Sequence, residues 1–102
     1  MPKRIPTNKS IRQDIDKLFG AVLRLKNQSE ARRFFRDLLT KKELVELSQR
    51  WKAALMLHNK IPYTKIELET GMSSTTIARV HRWLKGGTGG YKLIIKKMES
   101  NK

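Results

Sequence analysis

The sequence contains no cysteine, so neither disulfides nor thiolate metal sites can hold the protein together. No apolar run approaches the length that crosses a bilayer, and the first ten residues, MPKRIPTNKS, lack the apolar stretch of a secretory leader. The expectation is a cytoplasmic protein with no membrane partner. Acidic residues are scarce, nine Asp plus Glu against 23 Lys plus Arg, and whole stretches lack them: none precedes Asp14, and none lies between Glu69 and Glu99. Apolar residues make up 38 % of the 102-residue chain. That is thin for a monomer of short helices, because small domains bury a smaller share of their surface. A second copy would supply the missing cover, so a homodimer is expected.

Catalytic and metal signals are missing as well. His58 and His81 are isolated, with no acid or second histidine at ligand spacing, so no metal site is expected. The SSTT of residues 73–76 lacks the glycines of a nucleophile elbow and has no convincing base beside it. GGTGG, residues 86–90, is not followed by the lysine and hydroxyl of a nucleotide loop and reads as a hinge. The chain is expected to be no enzyme and to need no cofactor.

What the sequence does have, above all, is positive charge: a net +14, unevenly placed. Lys3, Arg4, Lys9 and Arg12 come before the first acid, and Arg79, Arg82, Lys85, Lys92, Lys96 and Lys97 fill the later acid-free stretch. Such a surface attracts polyanions, and its segregation favours nucleic acid over a merely solvated face.

The apolar residues recur at helical steps. Residues 1–10 are polar with two prolines and read as a flexible basic arm, leaving 11–102 as one helical domain. Ile11, Ile15, Leu18, Val22 and Leu25 stripe a helix ending near Lys26, and Asn27 or Ser29 can cap the next, striped by Ala31, Phe34, Phe35, Leu38 and Leu39. TKKE, residues 40–43, fits a capping box for a third helix running to about His58. That helix is apolar around much of its girth, as a central, many-sided packing element would be. Pro62 stops the preceding turn, a short helix runs to Thr70, another spans about Ser74 to Leu84, and Tyr91, Ile94, Ile95 and Met98 stripe a last one. No strand pattern competes. The fold class is all-α with about six helices.

Between Tyr63 and Leu84 the pattern fits a helix-turn-helix, with Gly71 free to take positive φ in the turn, Met72 as an apolar plug, and Ser73 as cap of the second helix. Ile66, Ile77, Val80 and Leu84 face inward, so Ser74, Thr75, Ala78, Arg79 and Arg82 face outward. The helix start at residues 73–76 is small and hydroxylic, which suits approach to base edges, with Thr76 in that first turn. Backbone amides at Tyr63, Thr64 and Lys65 are placed to hold a phosphate. Glu67 and Thr70 depart from the alanine and leucine many such motifs carry.

Residues 39–98 resemble the Trp-repressor superfamily, specifically its YerC/YecD-type branch. The shared features are the leucine-threonine helix start, QRW in the long helix, Y-x-x-I-x-x-x-T-G, S-x-x-T-I-x-R-V and the glycine-rich GGY. The resemblance implies an intertwined homodimer whose helix-turn-helix heads bind double-stranded DNA as a transcriptional regulator, a repressor by analogy. It also carries the ligand clamp of the tryptophan-sensing members onto Thr40, Arg50, Thr76 and Arg79. Val80 and Trp83 stand where those members have a glycine and a serine and would occupy the space of an indole ring, so tryptophan is not expected as effector. Trp51 and Trp83 read as core or interface residues, and Arg50 as a surface or interface ion-pair residue. Two other readings of the charge remain: a nucleic-acid binder without sequence choice, for RNA or nucleoid, and a structural adaptor whose basic face docks an acidic protein or membrane.

Overall fold

In a computed structural model of the chain, which describes residues 5–100, the apolar stripes become six α-helices, and no strand forms among the described residues. These are α1 (Asn8–Val22), α2 (Gln28–Leu38), α3 (Lys41–His58), α4 (Tyr63–Thr70), α5 (Ser74–Gly86) and α6 (Gly90–Ser100). The chain divides into two compact units, residues 1–40 and residues 41–102.

The first unit holds α1 and α2. Thr7 caps α1, its hydroxyl accepting from the Ser10 amide at 3.1 Å, while the Ser10 hydroxyl donates to the Thr7 carbonyl at 3.0 Å. This reciprocal cap starts the helix at Asn8, inside the stretch expected to be a flexible arm. Lys3 and Arg4 lie outside the described residues. Helix α1 also ends earlier than the apolar spacing suggests. The amides of Arg24 and Leu25 bond three residues back, to Ala21 and Val22, so the last turn tightens and stops. Asn27 then caps α2 through the Glu30 amide at 2.9 Å, and the Glu30 carboxylate takes the Lys26 amide at 3.0 Å. Neither helix buries a side chain. Ile11, Ile15 and Phe19 present an apolar stripe to solvent, with 59 % of Phe19 exposed.

The second unit has one small core: Ala53, Ala54 and Leu57 of α3, Ile66 of α4, Ile77, Val80 and Leu84 of α5, and Ile95 of α6. Helix α5 packs against α3, α4 and α6 and is the hub. Only the C-terminal half of α3 enters this core; Val45 and Leu47 near its start are exposed, so the helix is less enclosed within its own unit than its girth of apolar residues implies.

Three turns aim the helices. Helix α3 ends in a Schellman motif, with the Lys60 amide on the Leu57 carbonyl and the Ile61 amide on the Met56 carbonyl, both at 3.0 Å. The left-handed position of that motif holds Lys60 at φ 60°, where glycine is usual. Helix α4 stops at Gly71, φ 72°. Beside it, Thr70 is buried, 4 % exposed, and its hydroxyl bridges the turn by donating to the Ile66 carbonyl at 2.7 Å and accepting from the Met72 amide at 3.1 Å. This explains the polar residue where an apolar one is common. The hydroxyl completes the turn's hydrogen bonds, and Met72 packs against the core as the plug. Ser73 then caps α5 through the Thr76 amide at 3.2 Å.

Thr70→Val keeps the side chain's shape but leaves the Met72 amide without its acceptor, so it is expected to cost about 1–3 kcal/mol in urea unfolding. Gly71→Ala is expected to cost about 1 kcal/mol through its left-handed backbone. An unchanged midpoint for Thr70→Val would show that its hydroxyl does not hold the turn.

Candidate nucleic-acid interface

The two helices of the motif are joined by a contact between side chains 18 positions apart. The Tyr63 hydroxyl lies 2.7 Å from Nδ1 of His81, and the two rings meet edge to face with centroids 5.9 Å apart. Tyr63 is half-buried and packs on the core. Its side chain therefore joins α4 to α5, and only its amide remains for a phosphate. Helix α4 begins after Pro62 with no side-chain cap, which leaves its first turn open to an external acceptor. Lys65 is less available than Thr64 in this respect, because its amide already donates to the Pro62 carbonyl at 3.1 Å. The side chains of Thr64 and Lys65 are exposed.

On α5 the division of faces follows the helical period. Ile77, Val80 and Leu84 are buried, and Ser74, Thr75, Arg79 and Arg82 are exposed. Ala78 is half-buried at the edge between the two faces. The hydroxyls of Ser73 and Thr76 lie 3.0 Å apart and belong to the cap, with Thr76 half-buried. Four of the six outward or first-turn polar groups, Ser74, Thr75, Arg79 and Arg82, thus stand clear of the fold's own bonding. Among the described residues, contacts between basic and acidic side chains include Lys52–Glu69 at 3.9 Å and His58–Glu99 at 3.3 Å, neither on the outward face of α5. Both are solvent-exposed and worth little to stability.

The residues matched to the tryptophan clamp are distributed differently. Thr40 ends the first unit, whereas Arg50, Thr76 and Arg79 belong to the second. Arg50 and Arg79 are exposed. Val80 is fully in the core, 1 % exposed. Trp83, in contrast, is 47 % exposed and lines an open hollow with Gly87, Thr88 and Tyr91. Trp51 is the tryptophan that packs on the core, and it stacks on Tyr91 at 6.1 Å. The Tyr63–His81 link went unread in the sequence, where His81 stood alone. Its only trace was periodicity, which puts Tyr63 one turn before Ile66 and His81 next to Val80.

Comparison with known proteins agrees with this architecture. Residues 13–99 match the family described as Trp repressor protein. The chain is 41 % identical over 87 residues to the uncharacterised protein YerC of Bacillus subtilis (strain 168), a match spanning 85 % of this chain and 84 % of that one. A crystal structure of a protein from Staphylococcus aureus, described as a candidate Trp repressor, superposes with a TM-score of 0.80 at 41 % identity, covering 85 % of this chain and 87 % of the other. A TrpR-like protein from Eubacterium eligens ATCC 27750 superposes with a TM-score of 0.83 at 40 % identity, covering 91 % and 96 %. No helix among the described residues is long and apolar enough to cross a membrane.

Tyr63→Phe is expected to lower stability by about 1 kcal/mol by removing the hydroxyl from His81. A double-mutant cycle with His81→Phe should show a coupling of similar size. Additive losses would mean that the two side chains stabilise their helices separately.

Proposed function

The chain belongs to the Trp repressor family, in the branch that includes YerC, and from that premise we propose that it is a sequence-specific double-stranded DNA-binding regulator of transcription, a homodimeric repressor working in the cytoplasm. The observation that carries the reading is the two-faced α5, whose inward residues form the core while Ser74, Thr75, Arg79 and Arg82 are exposed on the opposite side. Small residues at the helix start let the backbone approach base edges, and the arginines lie one and two turns further along the same face. The uncapped first turn of α4, at Tyr63, Thr64 and Lys65, supports a phosphate contact that sets the angle of entry. In this reading Ser73, Thr76 and Ala78 shape the reading surface, and tryptophan is not the effector.

Thirteen large apolar side chains are exposed among the described residues, against eight buried apolar ones, and this excess supports dimerisation. A binder without sequence choice is the competing reading, supported by the net charge of +14 alone.

Selection of bound fragments from random duplexes should return a palindrome, as two symmetry-related heads require. Arg79→Ala is expected to weaken the selected site by about 1–3 kcal/mol and relax base choice there. Neutralising Lys3 and Arg4 should weaken all duplexes alike and make the salt slope shallower by about 0.9 for each phosphate no longer neutralised. Folded Arg79→Ala and Thr75→Ala proteins that bind every duplex as the parent does would leave only the non-specific reading. Light scattering should give about twice 11.9 kDa at micromolar concentration; a monomer would sink the dimer without touching DNA binding.

A further inference from the structure

A second cationic feature lies beside the reading helix, and the proposed contacts to duplex DNA do not use it. Where α3, α5 and α6 meet, a hollow of about 400 Å³ is floored by Leu57 and Leu84 and rimmed by Lys60, Lys85 and Lys92, with His58 and His81 completing its wall. No carboxylate is among its lining residues; Glu99 reaches only His58 Nε2, at 3.3 Å. An apolar floor with a few converging polar groups, at this volume, is the usual form of a small-molecule site. Three exposed lysines border one concavity that no carboxylate lines, so the local potential favours an anion there.

Two details define the rim, one in its backbone and one in an anchored ammonium group. Lys60 occupies the left-handed position of the Schellman motif, φ 60°, which favours glycine and penalises any residue with a Cβ. Lys92 donates from Nζ to the Lys85 carbonyl at 3.2 Å, which anchors its ammonium at the C-terminal end of α5 and leaves two of its protons for another acceptor. The His81 Nδ1 is engaged with the Tyr63 hydroxyl, which leaves Nε2 as the ring nitrogen without that partner.

We propose that this hollow binds a small organic anion, an apolar or aromatic body bearing a phosphate or carboxylate, with the body on Leu57 and Leu84 and the anionic group among Lys60, Lys85 and Lys92. Such a ligand would be an effector for the DNA-binding reading, but the site itself stands without that reading. The floor distinguishes it from a seat for a DNA phosphate, which needs cations and no apolar surface.

Thermal unfolding of the full chain without DNA tests the site, with phenyl phosphate, inorganic phosphate and phenol at matched ionic strength. Millimolar phenyl phosphate is expected to raise the melting temperature by several degrees, inorganic phosphate by clearly less, and phenol not at all. The increment should fall at least fivefold in Lys60→Gly and in Lys92→Gln. Lys60→Gly without ligand should melt at or above the parent temperature, because glycine relieves the left-handed backbone, so its lost response cannot be ascribed to misfolding. No shift with phenyl phosphate, an equal shift with inorganic phosphate, or an increment unchanged in both variants would each overturn the proposal. So would variants that bind duplexes more weakly with a shallower salt slope while phenyl phosphate leaves the parent unmoved. That result would make the hollow a DNA-phosphate seat.

Discussion

The second unit depends on the burial of one face of α5. Ile77, Val80 and Leu84 bring α3, α4 and α6 onto one helix, the element that packs against all three. The helix that presents Arg79 and Arg82 to solvent is therefore the same rigid body that closes the core. Its outward face takes its orientation from packing rather than from loops, so its exposed side chains are held in a fixed arrangement. It also means that a substitution on this helix must be sorted by face before it is interpreted.

The turn from α4 to α5 shows how few atoms achieve that orientation. Gly71 supplies the left-handed backbone, Thr70 bridges the turn with its hydroxyl, Met72 plugs the core and Ser73 caps the next helix. The Tyr63–His81 contact then ties the start of α4 to the middle of α5. Hydroxyls that look available in the sequence are divided between two tasks. Thr70 and Ser73 complete backbone bonding and the Thr76 hydroxyl pairs with that of Ser73, while Ser74 and Thr75 remain exposed.

Two imbalances run through the molecule. Its positive charge is met by few carboxylates, and among the described residues the large exposed apolar side chains outnumber the buried apolar ones. A charge excess of this kind attracts polyanions, and apolar exposure of this extent is more than singly scattered surface residues supply. The α1 stripe of Ile11, Ile15 and Phe19 is the clearest case, because a helix with no buried side chain has little intrinsic reason to persist in isolation.

Local chemistry was legible in the sequence. Helix spacing, Asn27 and Ser73 as caps, Gly71 in the turn and Ile66, Ile77, Val80 and Leu84 as inward residues all rest on interactions within a few residues, where periodicity and capping act directly. The family followed from the same motifs. Tertiary structure decided what depends on residues distant in sequence. One local feature was missed: the Thr7–Ser10 cap starts α1 at Asn8, in a stretch whose prolines suggested an arm. Trp83 was left half-exposed while Trp51 packed on the core, Tyr63 was paired with His81, and Lys60, Lys85 and Lys92 were gathered around one hollow. Helical period tells which side of its own helix a residue occupies. Which other helix meets that side is set by the packing of the whole unit, and no spacing along the chain encodes it.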